Sequence, residues 1–224
     1  MMQAAALLAL LAASPPPSGG CSLDISLAHG NVAEARAQDQ LQRIAATHDV
    51  SHWCFTKAVV IDSEAIPHSH PVLTLHTRHT RDDELLLSTF IHEQLHWSLA
   101  SSNNVDDAIA DLQKLFPNTP VGYPQGSSDE RGNYVHLLVA YLEHRANQQL
   151  LGELRARQVM EFWAADHYTW IYRTVLDHAA EIGHVVDHHA LRPAPVATRS
   201  PSPYARADTR VNLRRAALRA RGAP

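Results

Sequence analysis

Apolar residues crowd most densely between Leu85 and Leu99. Leu85, Leu86, Leu87, Phe90, Ile91, Leu95, Trp97 and Leu99 cover nearly the whole circumference of a helix, and Ser101-Ser102-Asn103-Asn104 ends the run. A helix apolar on almost every side is a buried one. Thr80-Arg81-Asp82-Asp83 reads as its capping box, and the acidic residues at 82 to 84 suit the positive end of the helix. A second strong helix is predicted over Asn133 to Leu151, where Val135, Leu138, Val139, Leu142, Ala146, Leu150 and Leu151 are apolar and Gly152 is the stop signal. Shorter helices are predicted over Val105 to Phe116, capped by Asn104 and ended by Pro117, over Glu153 to Ala165, and over Tyr168 to Ile182 with Asp166 as cap. Two extended segments rich in Val, Leu and Thr, Cys54 to Ile61 and Pro71 to Thr77, read as neighbouring strands. The stretch Pro117 to Gly132 holds three prolines and three glycines, and reads as a long loop, either the rim of a substrate site or an ordinary surface connection. The pattern as a whole predicts an α-rich α+β domain.

The buried helix carries His92-Glu93-Gln94-Leu95-His96, an H-E-x-x-H sequence. Two imidazoles at i and i+4 stand one turn apart on one face and can grip a single ion. Glu93, about 100° around the helix, is placed to take a proton from water beside it. Polar side chains on a buried helix need partners, and a metal serves all three at once. Zn²⁺ is the ion that imidazole and carboxylate donors of this kind hold for hydrolysis, and it calls for a third protein ligand plus an open position. His136 and Glu143 are the two candidates. They are seven residues apart on the second strong helix, only about 20° off one line, so both can face the first. His184 and His188 repeat the i, i+4 spacing without a carboxylate between them in the base position, and read as surface histidines.

Strands leading directly into an H-E-x-x-H helix resemble the zincin metallopeptidases, over roughly residues 50 to 185. That resemblance implies zinc-dependent hydrolysis of peptide bonds, with a peptide or protein substrate lying along a sheet edge above the active-site helix. Glu143 followed by Asn147 looks like the E-x-x-x-D/N arrangement of gluzincins, which makes Glu143 the third ligand ahead of His136 and gives Asn147 the task of supporting a metal-binding His. The extended histidine pattern of metzincins is absent, since Trp97-Ser98-Leu99-Ala100 follows His96. Zinc peptidases also use a His or Tyr outside the ligand set to stabilise the oxyanion, and the aromatic cluster after Asp166 offers His167 and Tyr168 for that role.

Composition divides the chain into a leader over 1–21, a catalytic domain over 22–191 and a tail over 192–224. Ala4 to Ala13 is an apolar run too short to span a bilayer but long enough for a signal-peptide core, which predicts export. Cys21 after Gly20 resembles a lipoprotein cleavage site and would supply a membrane tether. Ser18, however, stands where such sites carry a large aliphatic residue, and no Lys or Arg precedes the run. Cys21 and Cys54 are the only cysteines, so one disulfide at most can form. The tail has eight Arg against the single Asp208 in a chain of net charge -4, and reads as a disordered basic extension. No nucleic-acid motif or internal repeat is visible, and nothing indicates an oligomeric state. Two other functions fit the same motif: an exported module that keeps zinc for structure, and a metal hydrolase acting on something other than peptides. Glu93 discriminates against the first, because structural zinc has no use for a carboxylate beside its ligands.

Overall fold

A computed structural model describes residues 21–193 of the chain. The expected leader and basic tail lie outside the described residues, save for Cys21, Arg192 and Pro193.

The chain enters through two elements that the hydrophobic pattern left unassigned, β1 (Asp24–Leu27) and α1 (Val32–Thr47). Asn31 starts α1 by accepting from the Glu34 amide at 3.0 Å. The buried line of α1 is Glu34, Ala37, Gln40, Leu41 and Ile44, a narrow stripe with few large apolar groups. A turn of 3-10 helix at Ser51–Trp53 leads to β2 (Ala58–Ile61), and β3 (Leu73–Leu75) completes a three-stranded parallel sheet in the order β1-β2-β3. Asp24 pairs with Ala58 through to Leu27 with Ile61, and Val59 with Leu73 through to Ile61 with Leu75. The two predicted strands are therefore neighbours, in parallel. β3 is buried along its whole length, as expected of a parallel strand covered by helices. Its outer edge is not free: His68 and Thr74 exchange backbone hydrogen bonds of 3.1 and 2.8 Å as an antiparallel bridge. The chain's own 68 segment, rather than β3, is thus the strand edge at that point.

Six helices follow: α2 (Asp83–Ala100), α3 (Val105–Leu115), α4 (Glu130–Leu151), α5 (Glu153–Asp166), α6 (Thr169–Asp177) and α7 (Ala179–His188). α2 packs against α1, β3, α4 and α5, which is why almost all of its circumference is apolar. Three helix starts differ from what the local sequence predicts. Asp82, not Thr80, caps α2, accepting from the amides of Glu84 and Leu85. Asn104 sits at the start of α3 but donates its side-chain amide to the His189 carbonyl instead. Asp166 is the last residue of α5 rather than a cap, and the predicted helix from 168 to 182 is broken at His178 into α6 and α7. α4 begins earlier than predicted, with Asp129 accepting from the Gly132 amide at 2.7 Å.

Cys21 and Cys54 are joined in a disulfide that ties the start of the domain to the approach to β2. A sulfur so engaged has no thiol left for a lipid, so this pairing and a tether through Cys21 exclude each other. Nearby, the buried Glu34 carboxylate accepts from the backbone amides of His29, Gly30 and Ser63, from the Ser63 hydroxyl and from His29 Nδ1. Burial opposes the charge, but the bonds from the His29 ring and from Ser63 overcome it and hold the carboxyl at about 2, against an ordinary 4.5. These donors account for the grouping of Glu34 with His29 and Asp62.

Candidate metal centre

α2 and α4 lie side by side and antiparallel, because His136 meets His92 and His96 while Glu143 and Asn147 meet Ser88, a turn earlier on α2. Seven residues of α-helix rise about 10 Å, so two side chains on the same line cannot both reach one ion. His136, in the second turn of α4, is the one level with the His92–His96 pair. The three rings are 5.0 to 5.6 Å apart between centroids, and one nitrogen from each lies within 4.8 Å of the others. The residues brought together are thus three histidines, and Glu143, the expected third ligand, stands behind them.

Glu143 is fully buried and occupied by protein donors. Its Oε2 accepts from His92 Nδ1 at 2.9 Å and from the Tyr172 hydroxyl at 3.0 Å, and its Oε1 accepts from the Ser88 hydroxyl. Asn147 does not support a histidine either. Its amide donates to Ser88 Oγ at 3.0 Å, where the Trp163 indole N–H also donates, at 3.0 Å. A metal-binding imidazole characteristically gives its second nitrogen to a carboxylate, which fixes the tautomer and aims the first. His92 has that partner in Glu143. His136 has the equivalent in the Gly132 carbonyl, to which its Nδ1 donates at 2.7 Å. Both rings therefore keep Nε2 for the cluster, and among the described residues nothing hydrogen-bonds His96.

The electrostatics suit cation binding. Burial, helped by the charge on His167, lowers His92 to about 3; burial and the neighbouring histidines lower His96 to about 2 and His136 to about 4. All three are neutral near pH 7, the form that ligates. By distance His92 and Glu143 could be an ion pair, but burial pushes Glu143 up to about 7 while the ring is held neutral, so the contact is a hydrogen bond from a neutral imidazole. Glu93 is the outlier. It is 6% exposed, makes no hydrogen bond among the described residues, and is pushed up to about 8 by burial and then by Glu143. The donor chemistry fits a borderline divalent ion such as Zn²⁺: three neutral imidazoles, a carboxylate beside them, and a cavity of about 810 Å³ opening onto the set.

The other expected residues line the same cavity. Tyr168 packs its ring 4.4 Å from that of His136 and takes a left-handed backbone conformation, φ 50°, which costs a residue with a side chain about a kcal/mol or more. His167 donates from Nδ1 to Asp166 Oδ2 at 2.9 Å, which leaves its Nε2 for the cavity. Arg78, on the stretch after β3, grips the same Asp166 carboxylate. Sequence reasoning missed the Arg78–Asp166 pair, since 88 residues separate them and Asp166 looked like a cap. It also missed Tyr172, which reads as a core aromatic and is one, apart from its hydroxyl.

The loop expected at the rim does border the cavity, with Gly122, Tyr123 and Ser127. It is a fixed wall. Buried Asn133 accepts from the Ser127 amide at 2.6 Å and donates to Thr119 Oγ1 and the Pro120 carbonyl, and the first amides of α6 donate to the carbonyls of Pro124 and Gln125. The wall therefore also satisfies the open N-terminal end of α6. A third grouping, Asp111 with His188 and His189, is explained by ordinary bonds: Asp111 accepts from Lys114 at 2.7 Å and from His189 at 2.8 Å. His184 and His188 are exposed on α7, as read.

Comparison of the chain with protein-family models, with curated proteins and with solved structures finds no match in any of the three.

Proposed function

We propose that this protein is a zinc-dependent hydrolase that cleaves peptide bonds, built on a zincin-like plan with a three-histidine donor set. One observation carries the reading: an unpartnered, buried carboxylate, Glu93, lies beside three converging neutral imidazoles at the floor of an open cleft. A structural metal site would have four protein donors and no such carboxylate. His92, His96 and His136 hold the ion, which supplies Lewis acidity toward the scissile carbonyl and acidifies water. Glu93 takes the proton of the attacking water and carries it to the departing amine nitrogen; a carboxyl near neutral pKa suits both halves of that transfer. His167, its Nδ1–H held by Asp166, donates from Nε2 to the oxyanion when the ring carries both protons, and Tyr168 adds its hydroxyl from beside His136. The disulfide and the apolar leader sequence both favour an exported protein.

The test pairs metal analysis of the purified protein with a peptide-library cleavage assay on the wild type and Glu93→Gln. The reading requires about one zinc per chain in both proteins and cleavage by the wild type alone. Cleavage that persists in Glu93→Gln, or a wild type that holds zinc yet cleaves nothing, overturns it.

A further inference from the structure

Arg78 reaches across the cleft from the sheet side to the α5–α6 junction. Its Nη1 donates to Asp166 Oδ2 at 2.9 Å and its Nη2 to Oδ1, a two-point grip. That Oδ2 also accepts from His167 Nδ1, so one carboxylate joins the arginine to the imidazole. The arginine's own position is secured: its amide donates to His76 Nδ1 at 2.9 Å, and His76 Nε2 donates to the Ser63 carbonyl at 2.9 Å. No side-chain cap fixes the junction beyond, where His167 is extended and Tyr168 left-handed. An ion pair this open, with the Arg78 side chain 55% exposed, adds little to stability, so holding the fold together does not explain it. A planar guanidinium that bonds both oxygens does fix the plane of a carboxylate, and a fixed carboxylate holds the imidazole that donates to it in one orientation.

We propose that Arg78 is a positioning residue: by clamping Asp166 it holds the His167 ring in one orientation, with Nδ1–H on the carboxylate and Nε2 turned into the cleft. The segment leaving β3 thereby sets the geometry of the oxyanion donor on the opposite wall. The proposal rests on the role given to His167 above.

Two measurements test it on the full-length, zinc-loaded protein. In the first, kcat and KM are compared for wild type, Arg78→Ala, Arg78→Lys, His167→Ala and the Arg78→Ala/His167→Ala pair, using a quenched fluorescent peptide taken from the cleaved library members. Arg78→Ala should lower kcat roughly ten- to hundredfold, the scale for an orienting partner of a site histidine, with zinc content and KM little changed. Arg78→Lys should recover only part, since an ammonium cannot bond both oxygens at once. The double variant should be no slower than His167→Ala. In the second, ¹H–¹⁵N spectra read the His167 Nδ1–H directly: a single downfield, exchange-protected resonance in the wild type, and a broadened or lost one in Arg78→Ala. Additive losses in the double variant, or an unchanged Nδ1–H resonance without Arg78, overturn the proposal. If the wild type cleaves no peptide, the hydrolase reading fails, and the spectra alone decide whether Arg78 positions His167.

Discussion

Glu143 Oε2 lies 2.9 Å from His92 Nδ1, on the side of the ring away from the other two histidines. The carboxylate therefore acts on the metal through a ligand. Glu143→Gln should weaken zinc binding by roughly ten- to a hundredfold, the usual effect of losing a histidine's outer partner. His136→Ala should remove a donor outright and leave the protein largely empty after dialysis. Competition with a chromogenic chelator measures both, and a Glu143 variant that binds zinc worse than the His136 variant would return Glu143 to the ligand set.

The parts of the site that sequence displays are those set by one helix. The i, i+4 histidines and Glu93 needed only the helical period, and His136 and Glu143 shared a face by the same rule. What periodicity cannot supply is the axial offset between two helices, and that offset selects His136. The fold shows the same division. α2 is legible because it is apolar all round, whereas α1 buries Glu34 and Gln40 along with Leu41 and Ile44 and looks like a solvated helix. Thr80 and Asp82 are both good caps two residues apart, and composition does not choose between them. Asp166 has the chemistry of a cap but spends its oxygens on Arg78 and His167, partners that only the tertiary structure brings near.

Metal binding should release protons, and Glu93 should be one source. At pH 7 the three histidines are already neutral, while Glu93 titrates near 8 and is mostly protonated. A dication beside it favours the ionised form. Calorimetric titration of zinc in buffers of different ionisation enthalpy should count about one proton fewer for Glu93→Gln than for wild type, and equal counts would remove Glu93 from the ion's vicinity. The metal-free protein has a matching signature. A carboxyl raised from 4.5 to about 8 takes up more protons folded than unfolded, so stability falls as pH rises through that window. The lowered histidines cost stability only below their ordinary 6.5. Melting temperature without metal should thus decline from pH 6.5 to 8, and Glu93→Gln should flatten most of the decline above pH 7.

Ser88 is the hub of the layer behind the metal centre. It donates to Glu143 and accepts from both Asn147 and Trp163, all four residues being buried. Ser88→Ala strands two donors at once. The expected loss is about 1–3 kcal/mol for the unpaired groups, read from urea unfolding, with weaker zinc binding alongside because Glu143 loses one of its donors. Ser88→Gly should do no better, and an unchanged unfolding midpoint in Ser88→Ala would mean that the hub carries no net stabilisation.

Gly126 sits where the rim loop turns under itself. A Cβ there would lie 2.1 Å from the Pro120 carbonyl oxygen and 2.5 Å from Asn133 Oδ1. The backbone carbonyl cannot swing aside as a side chain can, so Gly126→Ala must displace the wall. An overpacked site of this kind costs about 1–3 kcal/mol. Because the loop borders the cleft but contributes no donor to the ion, zinc content should hold while KM for a cleaved peptide rises. Loss of zinc with KM unchanged would place the strain at α4 instead.

Glu34 tests a different part of the fold, the turn that joins β1 to α1 and to the exit of β2. Five donors converge on its two oxygens, and a glutamine there would set its own N–H against some of them. Glu34→Gln should therefore be less stable than wild type at pH 7, where the carboxylate is ionised in both folded and unfolded chains. The sign with pH follows from the depressed value. A carboxyl at about 2 folded and 4.5 unfolded contributes stability that is present above 4.5 and lost as pH falls through 2. Urea midpoints of the two proteins should converge between pH 4.5 and 2 as the wild type loses that contribution, and a gap that stays constant over this range would show that Glu34 acts by shape rather than by charge.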